Sequence, residues 1–194
     1  MGAFALSLAL SVLGCGTSLP SFDYSKEPDP RQSEFVVGPS DVLRISVWKT
    51  PDLSVDVTVR PDGTITLPLI GDVTATGRTP SQLRGEIKRK LTTFLRDDNP
   101  TVEIIVETVN SYRFAVVGNV EHSGLFSAKH YVTVTEAIAL AGGPNRYAEL
   151  DKVLILRQAG TSARSVPVNL REIYSGRHPE MDVVILREDR VFVP

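Results

Sequence analysis

The side chains able to do chemistry in this 194-residue chain are few and scattered. Asp41, Asp62 and the pairs Asp97-Asp98 and Glu188-Asp189 are the carboxylates that a glycoside hydrolase would need as acid and base. All of them stand in turn or helix-end sequences, where Asp accepts from free backbone N–H groups, so their setting points to capping rather than catalysis. His122 and His130 have no Cys or carboxylate at a helical interval. His178 has Asp182 four residues on, but Pro179 intervenes and one such pair is too few ligands for a metal. Gly142-Gly143 is not followed by Lys-Ser/Thr, so it reads as a helix stop and not as a phosphate loop. Trp48 and Tyr112 stand at strand ends, where an aromatic can stack on a sugar ring but more often fills a core or an interface. These patterns predict no enzyme, no cofactor and no metal.

One residue carries reactive chemistry in a telling place. Cys15 is the single cysteine, which excludes an internal disulfide framework. Met1 to Gly14 is uncharged and rich in Ala, Leu and Val, too short for a membrane-spanning helix but long enough for the apolar region of a signal peptide. Val12-Leu13-Gly14-Cys15 resembles a bacterial lipobox, in which a small residue before Cys permits cleavage and the thiol takes a lipid. A leftover thiol in an exported chain favours that reading over an ordinary signal peptide with an incidental Cys. Gly16 in place of Asp after the cysteine points to the outer membrane under the sorting rule of enteric bacteria. From Thr17 to Ser33 the chain is polar, with Pro20, Pro28 and Pro30 and no period, so it reads as a tether. The net charge of -2 gives no bias towards nucleic acid or acidic lipid, and 42% apolar residues are ample for a core.

The elements that must position everything else begin near Phe35. Val42 to Trp48 alternates Leu43, Ile45 and Val47 with polar Arg44 and Ser46, as a half-buried strand requires. Val55–Arg60 and Thr64–Leu69 alternate likewise and meet at Asp62-Gly63, a strong hairpin signal. Thr79-Pro80-Ser81-Gln82 has a capping-box form, and Leu83, Ile87, Leu91 and Leu95 place one apolar stripe on a helix of about 15 residues ending before Asn99-Pro100. Thr101 to Val109 is the next strand. A second unit starts at Tyr112 with a short apolar strand to Gly118 and a turn from Val120 to Gly124. Thr133-Val134-Thr135-Glu136 repeats the capping-box form before Ala137 to Ala141, which Gly142-Gly143-Pro144 stops. Val153–Arg157 reads as a buried strand, Val166–Leu170 as an edge strand because of Pro167, and Val183–Leu186 and Val191–Pro194 close the chain. The fold class predicted is α+β: a small domain of strands plus one helix over 35–110, then a β-grasp-like domain over 111–194, preceded by a signal peptide (1–14) and a lipidated tether (15–34).

These residues resemble the polysaccharide export family, the Wza-like outer-membrane lipoproteins of capsule and exopolysaccharide secretion. The export-domain pattern is carried by Gly38, Asp41, Trp48, Asp62, Gly63, Pro68 and Gly71. That of the following soluble-ligand-binding β-grasp (SLBB) domain is carried by Gly118, Gly124, Ala141, Gly142 and Gly143. Glu188-Asp189-Arg190 stands where the family commonly has a Gly-Asp turn, so the last hairpin is expected to differ. The resemblance implies a lipid-anchored ring on the periplasmic face of the outer membrane, through whose lumen polysaccharide passes after hand-over by an inner-membrane co-polymerase. Longer members carry a second β-grasp domain and a C-terminal membrane-crossing helix, whereas this sequence stops at Val193-Pro194. The expectation is therefore a short member working with a separate β-barrel, a trimmed chain being the competing explanation. Arg44, Arg60 and Thr66 are expected to line the lumen. The alternative from another class is a monomeric periplasmic carbohydrate-binding module.

Overall fold

The computed structural model describes residues 22–95, 100–160 and 162–194. Cys15 and the pair Asp97-Asp98 lie outside them. Two apolar clusters organise the chain, each built by the period its sequence carries.

In the first, β1 (Val42–Val47) turns Leu43, Ile45 and Val47 inward. It pairs antiparallel with β2 (Val55–Thr58) on one side and β5 (Val102–Thr108) on the other. The hairpin β3 (Thr64–Leu67) with β4 (Gly71–Thr74) forms a separate two-stranded sheet. Helix α1 (Pro80–Thr92) buries Leu83, Ile87 and Leu91, the four-residue stripe that makes it amphipathic. Its start is held by a complete capping box. The Thr79 side chain accepts from Gln82 N and the Gln82 side chain accepts from Thr79 N at 3.0 Å. The regular helix ends at Thr92, although Leu95 N still donates to Leu91 O at 2.9 Å and Leu95 packs against the same cluster.

The second cluster is enclosed by a five-stranded sheet of order β7-β6-β10-β8-β9. Its strands are β6 (Arg113–Gly118), β7 (Gly124–Ser127), β8 (Val153–Ala159), β9 (Ser162–Val168) and β10 (Arg190–Val193). The last strand slots between β6 and β8, parallel to the first and antiparallel to the second. Helix α2 (Val134–Leu140) lies on one face with Val134, Ala137 and Ile138 buried, and it too starts with a complete capping box, Thr133 with Glu136. A short α3 (Leu170–Tyr174) is capped by Asn169. Pro167 sits on β9, a sheet edge, where its missing N–H costs no ladder bond. The architecture is α+β with a β-grasp-like second unit, as the alternation of elements implies.

Two expectations are corrected. Asp62-Gly63 makes a turn, with Gly63 N donating to Arg60 O at 2.9 Å, but it does not join paired strands. Across the turn Arg60 N donates to Thr64 O at 2.9 Å, while on the β1 side Val59 N donates to Asp41 O and Val59 O accepts from Ser40 N. β3 is left to pair with β4 through the tip at Pro68–Ile70, where Leu69 takes a left-handed conformation (φ 71°). Val183–Leu186 is likewise no regular strand. It makes a single bridge, Val184 to Thr133, with Ile185 N donating to Val132 O.

Tyr112 belongs to the core. It is 1% exposed, its hydroxyl donates to Ile185 O at 2.8 Å and accepts from Val132 N at 3.2 Å, and its ring meets Tyr131 edge-on. Burial pushes its phenol from the ordinary 10 up to about 12. Because the folded value is the higher one, the neutral phenol's contribution is fully present below pH 10 and is lost as pH rises towards 12. Tyr112→Phe should be less stable at neutral pH, by about 1 kcal/mol for the two bonds lost. It should also lose stability less steeply than the parent in chemical unfolding between pH 10 and 12, and parallel pH curves would count against this assignment.

Candidate functional site

Two motif residues of the first unit, Gly38 and Asp41, meet at the joint between the two units. Asp41 is fully buried, and its carboxylate accepts four hydrogen bonds. Oδ1 takes those of Asn110 N and Ser111 N, both at 2.8 Å, and Oδ2 those of Gly38 N at 2.8 Å and Ser111 Oγ at 2.7 Å. Asn110 Nδ2 adds a bond to Ser40 O, Ser40 itself standing at φ 71°. From the far end of the chain Arg187 donates to Val36 O at 2.9 Å. Gly38 is required here by space, because a Cβ would run into the Arg187 guanidinium and lie 2.6 Å from Ser111 Cβ. Gly38 and Asp41 thus fasten the start of β1 to the segment that leads into β6. The partners Asn110, Ser111 and Arg187 carry no local pattern, and sequence reasoning did not single them out.

Of the remaining export-motif residues Gly63 is buried, and Trp48, Asp62, Pro68 and Gly71 are exposed on the first unit. Trp48, at the end of β1, is 71% exposed, and borders a groove of about 350 Å³ with Lys49, Pro51, Ser54 and Glu103. Pro68 and Gly71 flank the exposed tip of the β3-β4 hairpin, next to Leu69. Asp62 accepts from Arg60 Nη2 at 2.8 Å and from Thr64 N at 3.0 Å, and these bonds hold its carboxyl well below the ordinary carboxylate range.

The polar positions expected to face a lumen are exposed but already engaged. Arg44 makes a two-pronged bond to Asp56 (2.8 and 3.0 Å) and reaches Glu107 at 2.7 Å. Arg60 bonds Asp62, Asp72 and Thr66, and Thr66 Oγ1 donates to Asp72 at 2.6 Å. Arg44 stands on β1 and Arg60 at the turn before β3, and they share no bonding partner among the described residues.

In the second unit the motif glycines lock two loops together. Gly118 stands at φ 100° with no room for a Cβ, which would meet the Val193 carbonyl on the neighbouring strand. Gly124 opens β7. Ala141, buried, closes α2, and Gly142 and Gly143 follow it in left-handed conformations. Glu121 N donates to Gly143 O and His122 N to Ala141 O, so the 118–124 and 141–145 loops form one edge of the unit.

Elsewhere the over-readable groups find structural roles. His178 meets Glu180 at 2.8 Å, while Asp182 instead accepts from Thr135 N and Oγ1. No group of three or more His, Cys, Asp or Glu that could hold a metal lies together among the described residues. Glu188 takes φ 66°, the conformation for which glycine is usual, so the last turn keeps a left-handed residue despite its sequence. Asp189 after it is buried on Arg157, which also binds Glu27 at 2.5 Å. Part of the stretch that read as a tether, from Phe22 to Glu27, is therefore docked on the second unit. Phe22 and Tyr24 lie against the second cluster, Tyr24 Oη donates to Pro167 O at 2.6 Å, and Glu27 bridges Arg157 and Arg164.

Residues 29–107 match the family model described as polysaccharide biosynthesis/export protein, and residues 113–167 match that of the SLBB domain. The exopolysaccharide production protein ExoF of Rhizobium meliloti (strain 1021) is 32% identical over 127 residues, covering 60% of this chain and 30% of that protein. The EPS I polysaccharide export outer membrane protein EpsA of Ralstonia solanacearum is 27% identical over 139 residues, 59% of this chain and 36% of that one. The chain thus spans about a third of the length of these curated relatives. Two family models in this order, meeting at the joint that Asp41 holds, place it: the chain belongs to the Wza-like polysaccharide export family, with an export domain followed by an SLBB domain.

Proposed function

We propose that the chain is a non-enzymatic component of capsule or exopolysaccharide export. In this reading Cys15 carries a lipid that holds it on the periplasmic face of the outer membrane, and copies assemble into a ring that conducts polymer to an outer-membrane pore. An inner-membrane co-polymerase would deliver the polymer, and a separate β-barrel would complete the path. The observation that carries the proposal is the pairing of an export domain with an SLBB domain through a fully buried four-bond clamp, which makes two small domains one building block. ExoF and EpsA, whose names refer to exopolysaccharide production and export, support the same reading. Among the described residues no helix is long and apolar enough to cross a membrane.

Deleting the gene should abolish surface polymer while lipid-linked or intracellular repeat units persist. Normal secretion in the deletion strain would end the proposal. The second reading, a monomeric carbohydrate-binding module, draws on the exposed Trp48. Sedimentation of the full chain in mild detergent separates the two: a ring sediments as a large closed oligomer, a module as one copy.

A further inference from the structure

Beside the Asp41 joint lies a groove of about 420 Å³ that no motif residue lines. Three separate stretches build it. Arg31 and Phe35 come from the packed N-terminal segment, Val106 from the end of β5, and Lys129, His130 and Tyr131 from the loop after β7. Lys129 and His130 also wall a second groove of about 570 Å³ that continues past Glu136 and Leu140 along α2. Each volume lies within the roughly 300–1,000 Å³ typical of ligand pockets, and end to end they suit an extended ligand.

The chemistry of the wall is mixed in an informative way. The floor is aromatic and aliphatic, and Tyr131 is held in place by an edge-on contact with buried Tyr112, ring centroids 5.0 Å apart. The rim is basic. Arg31 is steadied by Asp29, which takes Nε and Nη2 at 2.9 Å each, so that Nη1 has no partner among the described residues. Lys129 and His130 are exposed and make no ion pair among the described residues. The one carboxylate of the second groove, Glu136, is occupied in capping Thr133 N at 2.8 Å. Glu27, buried on Arg157 and Arg164, latches the segment that carries Arg31, so this wall is part of the folded unit.

We infer that this joint groove is a binding site for an extended saccharide bearing carboxylate groups. A pyranose ring has an apolar C–H face that packs on an aromatic ring, which Tyr131 and Phe35 would supply. A carboxylate substituent takes charge-assisted bonds from a guanidinium or an ammonium, which Arg31 and Lys129 would supply. The choice of a saccharide rests on the export reading, whereas the position and the preference for negative charge rest on the groove itself.

Isothermal titration of the full chain in mild detergent tests this with tetragalacturonate, neutral maltotetraose and citrate as probes. Tetragalacturonate should bind saturably, and maltotetraose should bind at least roughly tenfold more weakly. Lys129→Glu and Tyr131→Leu should each weaken tetragalacturonate binding by roughly tenfold or more. Lys129 is exposed, so its variant should keep the parent's thermal midpoint. Absence of saturable binding overturns the inference, as does binding that Lys129→Glu leaves unchanged. Citrate competing as well as the oligosaccharide overturns it too, because the site would then take any free carboxylate. Failure here leaves the gene-deletion outcome standing, and normal secretion in the deletion strain leaves the titration standing.

Discussion

Asp41→Ala is expected to uncouple the two domains. The substitution leaves Gly38 N, Asn110 N, Ser111 N and Ser111 Oγ facing a cavity in a place that water does not reach. A buried donor without an acceptor costs about 1–3 kcal/mol, so even with partial relaxation the loss should be at least about 3 kcal/mol. That is a large share of the roughly 5–15 kcal/mol that holds a protein folded. Asp41→Asn should retain part of the stability, because its amide oxygen can still accept from Asn110 N and Ser111 N while its NH2 faces the other two donors. The parent should unfold in one cooperative transition and Asp41→Ala in two, since each domain has its own apolar cluster and the clamp is what joins them. Calorimetry decides the matter, with limited proteolysis around residues 108–112 as a second reading. A single transition within about 1 kcal/mol of the parent would show that the clamp carries little of the coupling.

What the sequence made legible follows the range of the interactions involved. Thr79 with Gln82 and Thr133 with Glu136 are local devices, complete within four residues, and both helix starts could be read directly. The alternation in β1 and the stripe of α1 are legible for the same reason, because one face of each is buried throughout. The Asp62-Gly63 hairpin failed because a turn sequence specifies the turn and not the partner. Arg60 N does bond Thr64 O across the turn, but β3 pairs along its length with β4. The N-terminal segment failed in the other direction. Its two single turns are capped by Asp23 and Asp29, and what docks it works one residue at a time, Tyr24 and Glu27 through partners more than a hundred positions away and Glu34 through Ser81 N. A segment held by isolated long-range contacts has no period and reads as a linker. The site residues show the same split. Gly38 and Asp41 belong to a short motif, whereas Asn110, Ser111 and Arg187 acquire their role only when the domains meet.

Arg157→Met should be the most damaging single change in the second domain. Arg157 is the one cation between two carboxylates that are almost fully buried, Glu27 at 3% and Asp189 at 1% side-chain exposure. It bonds Asp189 through Nε and Nη2, Val184 O through Nη2 at 2.8 Å and Glu27 through Nη1. Removing it leaves the buried Asp189 without its cation and Glu27 with Arg164 alone, and breaking a buried pair ordinarily costs about 3–5 kcal/mol. Glu27→Ala alone should cost less, because Arg157 keeps Asp189 and Val184. Its main effect should be on the segment before residue 34, which loses its latch and becomes open to protease and to rapid hydrogen exchange. The pair should be strongly non-additive. In the Arg157→Met background, Glu27→Ala removes a repulsive carboxylate, so it should be neutral or should restore stability where in the parent it destabilises. A double-mutant cycle by chemical unfolding reads that change of sign directly. If the two losses simply add, Glu27 is held by Arg164 and local packing, and the buried cluster is not the unit that binds the N-terminal segment to the SLBB domain. Asp189 gives the cluster a longer reach. It also accepts from Leu186 N at 2.7 Å, which shapes the turn that presents Arg187 to Val36 and Gly38. Loss of Arg157 should therefore loosen the Asp41 joint as well, seen as faster exchange at Ser111 N, although Arg157 touches no atom of that joint.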